Sequence, residues 1–217
     1  GTLLTTASFT LNANRGIALN SNGTLSTGAG TNLTYAGIAA GANALVKAGT
    51  GTLTLGGANT YTGATTISAG TLALNATGTI EASSGVAATG AFTIASDKTI
   101  DSLTGAGASA LGGTLTIGDA SNTSGTYTGV AGGAGGLTTA GTGTLTLGGI
   151  NTFTGATTIG AGSTLALNAG GRLGVNSGVA NAGTFTIAAA KTIDSMTGSG
   201  ATVLGGTLTI GDASNTS

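Results

Sequence analysis

Six carboxylates are available for acid–base or metal chemistry in this chain: Glu81, Asp97, Asp101, Asp119, Asp194 and Asp212. Glycoside cleavage needs two carboxyl groups held a few ångströms apart, and general acid–base catalysis needs a proton carrier near neutrality. The sequence has no His and no Cys. Its acids are spread along the chain rather than clustered, so no residue is assigned a catalytic role. No residue is assigned to a cofactor or a metal, and the protein is expected not to be an enzyme. The segment "GDASNTS" at 118–124, repeated at 211–217, sets Asp119, Ser121, Asn122 and Ser124 at near-alternate positions. That spacing is the oxygen pattern of a calcium loop. One carboxylate is too few for a strong hard-cation site, and the segment reads as an Asx-type turn at a corner. Whether it takes calcium is left open.

The cations are as sparse, five Lys plus Arg against a net charge of −1. They cannot form the basic stripe that a nucleic-acid partner requires. Arg15, Lys98 and Lys191 fall at one equivalent position of a repeat, and Lys98 and Lys191 are expected to be solvated edge charges. Lys98 and Lys191 precede Asp101 and Asp194 by three residues, an odd separation that puts them on opposite faces of a strand. Asn59 and Asn151 read as turn residues or members of a stacked amide ladder rather than ligand contacts. The rings of Tyr61 and Phe153 are expected to point inward, the alternative being exposed platforms on which sugars stack. The sequons at Asn32 and Asn122 are what a Thr-rich chain produces by chance.

The elements that position these residues are repeats. Ala48–Ile67 recurs as Ala140–Ile159, 92 residues on. "KTIDSLTGAG" (98–107) recurs at 191–200, offset by 93, and the one-residue slip lies near Ser163. Inside this long period, the pattern small–small–apolar–Thr/Ala–apolar begins at Gly51, Gly70, Gly90 and Gly113. It begins again at Gly143, Ser163, Gly183 and Gly206. Apolar residues alternating with Thr mark strands, and Gly, Asn and Ser clusters mark turns. A unit of about 20 residues buries a core only by stacking on its neighbours. The expected fold is therefore all-β: a right-handed parallel β-helix (β-solenoid) built from coils of about 20 residues. It is expected to run as one continuous solenoid over 1–217, with modules at about 1–47 (a degenerate copy), 48–139 and 140–217 (an incomplete copy). Leu53, Leu72, Phe92 and Leu115, then Leu145, Leu165, Phe185 and Leu208, are the expected internal ladders, and the second copy is expected four coils after the first. Pro is absent, as suits strands that are nearly all internal.

With 40% hydrophobic residues the chain is not a disordered linker, and it has no apolar run long enough for a membrane span. It shows no signal-peptide pattern at residue 1, which reads as the start of a mature or excised piece.

"LVKAGTGTLTLGGANTYTGAT" (45–65) resembles the autotransporter-associated β-strand repeat, also called the passenger-associated transport repeat, at each position of that motif. "LTTAGTGTLTLGGINTFTGAT" (137–157) departs from it at Thr139 and Phe153. The resemblance implies a segment of a bacterial autotransporter passenger, exported across the outer membrane and displayed outside the cell. On that footing the expected function is a structural extracellular rod, a stalk segment that could assemble end to end through its open solenoid ends into a filament. The alternative is an adhesin that binds surface glycans or matrix through one solenoid face. A lesser alternative is an ice-binding face, from Thr52/Thr54, Thr114/Thr116, Thr144/Thr146 and Thr207/Thr209, although other unit types interrupt that array.

Overall fold

A computed structural model describes residues 1–118, 124–174 and 177–211. Among these residues there is no helix, and so none long and apolar enough to cross a membrane. Strands form where Leu, Phe or Ile alternates with Thr or Ala. In Thr52–Leu55, Thr71–Leu74 and Ala91–Ile94 the apolar residues are buried and their neighbours half-buried. The same alternation recurs in Thr144–Leu147, Thr164–Leu167 and Thr184–Ile187. A side chain pointing into the coil meets its counterparts above and below, and β-branched Thr suits the outer surface.

Every strand pairing is parallel, so the chain stacks as a β-solenoid of about ten coils. An eleven-stranded sheet runs from Thr2–Thr5 to Ala201–Leu204, beside a seven-stranded and a six-stranded sheet. Two further strand pairs, Ile17–Ala18 with Ala39–Ala40 and Lys191–Ile193 with Leu208–Ile210, complete the sides. Each coil thus visits three sides in turn. In the coil that begins at Leu45, the third side has no strand: residues 56–63 cross it irregularly, with one β-bridge to the next coil, Ala58–Thr79. The counterpart in the second copy is the bridge Ile150–Arg172. Gly57 shows why this stretch needs glycine, because a Cβ there would lie 2.0 Å from the Gly37 carbonyl oxygen of the coil beneath.

The expected ladders hold for three rungs and then fail. Leu53, Leu72 and Phe92 are in register, and Leu33 and Phe9 extend the ladder toward the N-terminus. The rung after Phe92 is Ser109, not Leu115. Leu115 stacks between Lys98 and Leu137 on the six-stranded sheet. Leu145, Leu165 and Phe185 likewise stack, but the next partner is Thr202, and Leu208 pairs with Lys191. The cause is the longer step before Gly113 and Gly206, 23 residues where one coil takes about 20. The extra residues carry the "GTL" pattern on to the next side, while Ser109–Leu111 and Ala201–Leu204 supply the missing rungs without that signature.

The placement of the second copy is corrected as well. Leu45–Ala48 lies in the eleven-stranded sheet, whereas its counterpart Leu137–Thr139 lies in the six-stranded one. Thr52–Leu55 is in the seven-stranded sheet and Thr144–Leu147 in the eleven-stranded one. A module therefore advances four full coils plus two further sides, not four coils, and the copied residues come out on a different side of the rod.

Candidate functional site

The polar residues singled out by the repeat are mostly inside it. Asn59 is 4% exposed. Its Oδ1 accepts the Ala39 N–H at 2.9 Å, and its Nδ2 donates to the carbonyls of Gly57 and Thr79 at 2.9 and 3.0 Å. Asn151 repeats the arrangement, accepting from Ala131 at 2.9 Å and donating to Gly149 and Arg172 at 3.2 and 2.7 Å. Each amide spans three successive coils on the side that lacks a strand, doing there what ladder hydrogen bonds do elsewhere. These are turn-side clamps rather than a stacked amide ladder, since Asn59 and Asn151 lie in separate modules.

Tyr61 and Phe153 are buried, so neither ring is a sugar platform. The Tyr61 hydroxyl shares a 2.7 Å hydrogen bond with Thr65 Oγ1, which shares one of 2.9 Å with Ser83 Oγ. Burial drives the phenol far above its ordinary range, opposed by the Thr65 hydrogen bond. Phe153 lacks the hydroxyl, and the inner pair persists as Thr157 with Ser177 at 2.6 Å.

The lysines overturn the expectation of solvated edge charges. Lys98 and Lys191 are 5% and 6% exposed. Each opens a strand with its side chain pointing inward, so the stem fills a ladder rung while the ammonium curls back to corner acceptors. Lys98 Nζ donates to the Ala76 carbonyl and to Ser96 Oγ, both at 2.9 Å, and Lys191 Nζ to the Ala169 carbonyl at 2.9 Å. Burial lowers both ammonium groups; Glu81 and Asp97 oppose this at Lys98, whereas Arg172 adds to it at Lys191. Arg15 is not their equivalent: it sits exposed in a turn, and its carbonyl accepts the Tyr35 hydroxyl at 2.6 Å.

Sequence reasoning passed over Lys47, which is fully buried. Its Nζ donates to the carbonyls of Ala48, Gly49 and Ala69 at 2.7, 2.7 and 3.1 Å, closing the corner 68–70, and burial lowers it to about 8. The signal was present in the slip between copies. Thr139 replaces Lys47, and the second corner has an extra residue, Ser163. Thr139 Oγ1 and Ser163 Oγ share a 2.8 Å hydrogen bond, and Ser163 donates to the Gly160 carbonyl at 2.8 Å. Gly70 and Gly162 both keep positive φ, +66° and +84°, so the corner bends alike and only its filling differs.

The carboxylates do not converge. Asp97 Oδ1 accepts the Thr114 N–H at 2.8 Å, Asp101 is buried, and Glu81 is exposed. Among the described residues no group of three acids could hold a metal ion. Asp119, Ser121, Asn122 and Asp212, and with them most of each "GDASNTS" turn, lie outside the described residues. Ser124, which closes the first of these turns, accepts the Thr144 N–H at 2.9 Å. The Thr pairs do not share one face: Thr52/Thr54, Thr116 and Thr144/Thr146 occupy three different sheets, and Thr209 stacks on Thr192. A different column does form, Thr99, Thr116, Thr138 and Thr158, in register on the outer face of the six-stranded sheet.

Residues 45–74 and 137–167 match the family of passenger-associated-transport repeats. Each matched stretch runs from the corner-filling residue through the Asn clamp and buried ring to the next ladder strand. The adhesin BmaC autotransporter of Brucella suis biovar 1 (strain 1330) is 39% identical over 127 residues, covering 54% of this chain and 4% of that protein. The chain spans only a small part of the length of this relative. No solved structure matches it. The resemblance drawn from 45–65 and 137–157 holds: both stretches lie within the residues that match the passenger-associated-transport repeat.

Proposed function

We propose that this chain is a structural, non-enzymatic stalk segment of an autotransporter-like passenger, displayed at the bacterial cell surface. The observation that carries this reading is the uninterrupted register of the eleven-stranded sheet. Ten inter-strand steps of about 4.8 Å give a stiff body on the order of 50 Å long. The conspicuous polar side chains of the repeat are turned inward as clamps and corner plugs, where they hold coils together instead of meeting a substrate. Such a stack grows by nearest-neighbour contacts, which suits a chain that crosses a membrane unfolded and then adds coil upon coil.

A second reading, adhesion to a surface glycan or matrix through one outer face, draws support from the adhesin relative and from the threonine column of the six-stranded sheet. One experiment separates the two. In a displayed passenger, residues 45–211 are replaced by an unrelated solenoid of equal length, and adhesion of the cells is measured. Unchanged adhesion fits a spacer; loss of adhesion at equal display overturns the spacer reading in favour of the face.

A further inference from the structure

Comparing the two copies of one corner exposes a change of charge. In the first copy, Lys98 has Glu81 and Asp97 acting on its ammonium and Ser96 accepting from it. In the second, Glu81 is replaced by Gly174, Asp97 by Ala190 and Ser96 by Ala189, while Thr79 becomes Arg172. Both compensating carboxylates and one acceptor are lost, and a second cation is gained. Lys191 keeps only the Ala169 carbonyl among the described residues, which occupies one of its three ammonium protons. Arg172 is exposed and forms no ion pair among the described residues.

Arg172 and Lys191 line one cleft of about 280 Å³, together with the hydroxyl-bearing Thr192 and Thr209. Asp194 has its own counterpart, Asp101, in the first copy and does not line the cleft. Two like charges held together, one of them 94% buried, raise the potential of the pocket. The exposed Arg172 guanidinium and the hydroxyls of Thr192 and Thr209 are the donors that an oxyanion would meet in the cleft, and the buried Lys191 ammonium adds its field.

We propose that this corner of the second copy is an oxyanion site that takes the sulfate or carboxylate group of an acidic saccharide. The oxyanion site follows from the charges alone; its saccharide carrier rests on the adhesion reading above. Duplication supplies the control, because the first copy is the same corner with its charge neutralised from within.

The test is calorimetric titration of the full chain at low salt with inorganic sulfate, a sulfated hexasaccharide and its desulfated counterpart. Sulfate is expected to bind weakly, the sulfated hexasaccharide at least tenfold more tightly, and the desulfated sugar not measurably. Arg172→Thr, which installs the first-copy residue, and Ala190→Asp, which restores its acid, are each expected to weaken binding about tenfold, the loss of one charge-assisted contact. The triple variant Thr79→Arg/Glu81→Gly/Asp97→Ala is expected to add a second site in the first copy. If sulfate binds and the hexasaccharide gains nothing over it, the saccharide carrier falls and the oxyanion site stands. If neither anion binds, or if Arg172→Thr and Ala190→Asp bind as the parent does while melting normally, the oxyanion site itself is overturned.

Discussion

Asn59 offers the sharpest test of how the strandless side holds together. Replacement by Ala leaves its surroundings unequally damaged. The Gly57 carbonyl keeps the Thr79 N–H at 3.1 Å, and the Thr79 carbonyl keeps the Asn59 N–H at 3.1 Å. The Ala39 N–H, which the Asn59 side chain alone accepts, is orphaned in the interior. An orphaned buried donor costs about 1–3 kcal/mol, and two net hydrogen bonds are lost besides, so Asn59→Ala is expected to cost about 3 kcal/mol. Asn59→Asp keeps the shape and the acceptor for Ala39. It also turns the donor that faces two carbonyls into a charged acceptor. At pH 7 it is expected to be worse than Ala by about 1 kcal/mol or more. The carboxyl of that variant would titrate higher folded than unfolded, so its penalty is full above the folded pKa and fades as pH falls toward 4. The order of Asp and Ala should then converge or reverse. Urea unfolding followed by circular dichroism at pH 7 and pH 4 reads the order. Amide exchange at Ala39 reads the local opening directly. Equal stability of Asn59→Asp and the parent at pH 7, or a loss under about 0.5 kcal/mol for Asn59→Ala, would refute the three-coil clamp. Asn151 should give the same values, and the double variant should be additive, because the two sites lie over four coils apart.

Lys47→Thr is expected to lose about 2 kcal/mol by emptying its corner, and to recover most of it when Ser68–Gly70 is exchanged for the four-residue corner of the second copy; a double-mutant cycle in urea measures the coupling. Because burial lowers Lys47 from 10.5 to about 8, the folded chain carries a costly ammonium below pH 8, and stability is expected to rise between pH 8 and 10.5. Lys47→Met removes that rise, seen as the difference between the two stability profiles over this range. Tyr61→Phe should lose no more than about 1 kcal/mol in thermal unfolding, since Thr65 and Ser83 stay paired as Thr157 and Ser177 do beside Phe153.

Strands and parallel stacking were legible from the alternation in "GTLTL", because the period-2 pattern and the 20-residue recurrence report the same geometry. The ladders became illegible where Ser109–Leu111 and Ala201–Leu204 carry a rung without the pattern: a coil is defined by its length around the core, not by the recurrence of a motif. The inward rings of Tyr61 and Phe153 were readable from their flanking Thr residues. The lysines were misread because a charged residue at a strand edge is usually solvated. Here the stem fits an apolar rung, and corner carbonyls one coil away accept the head. Those acceptors are 22 residues distant in sequence, so nothing local announces them. The Asn clamps were placed at turns correctly, but their reach to the coils on either side shows only once the stack exists.

The advance of four coils and two sides per module has a consequence for any longer array of these repeats. Each duplication turns its copied surface by about 240° around the axis, so no single duplication can thicken a binding stripe along one flank. Three modules, about 14 coils or roughly 67 Å at the usual strand spacing, bring the same residues back to the same compass bearing. A surface feature carried by every module would therefore decorate the rod along a single spiral, facing three bearings about 120° apart. Selection could then edit one bearing, as at Arg172 and Ala190, without disturbing the other two.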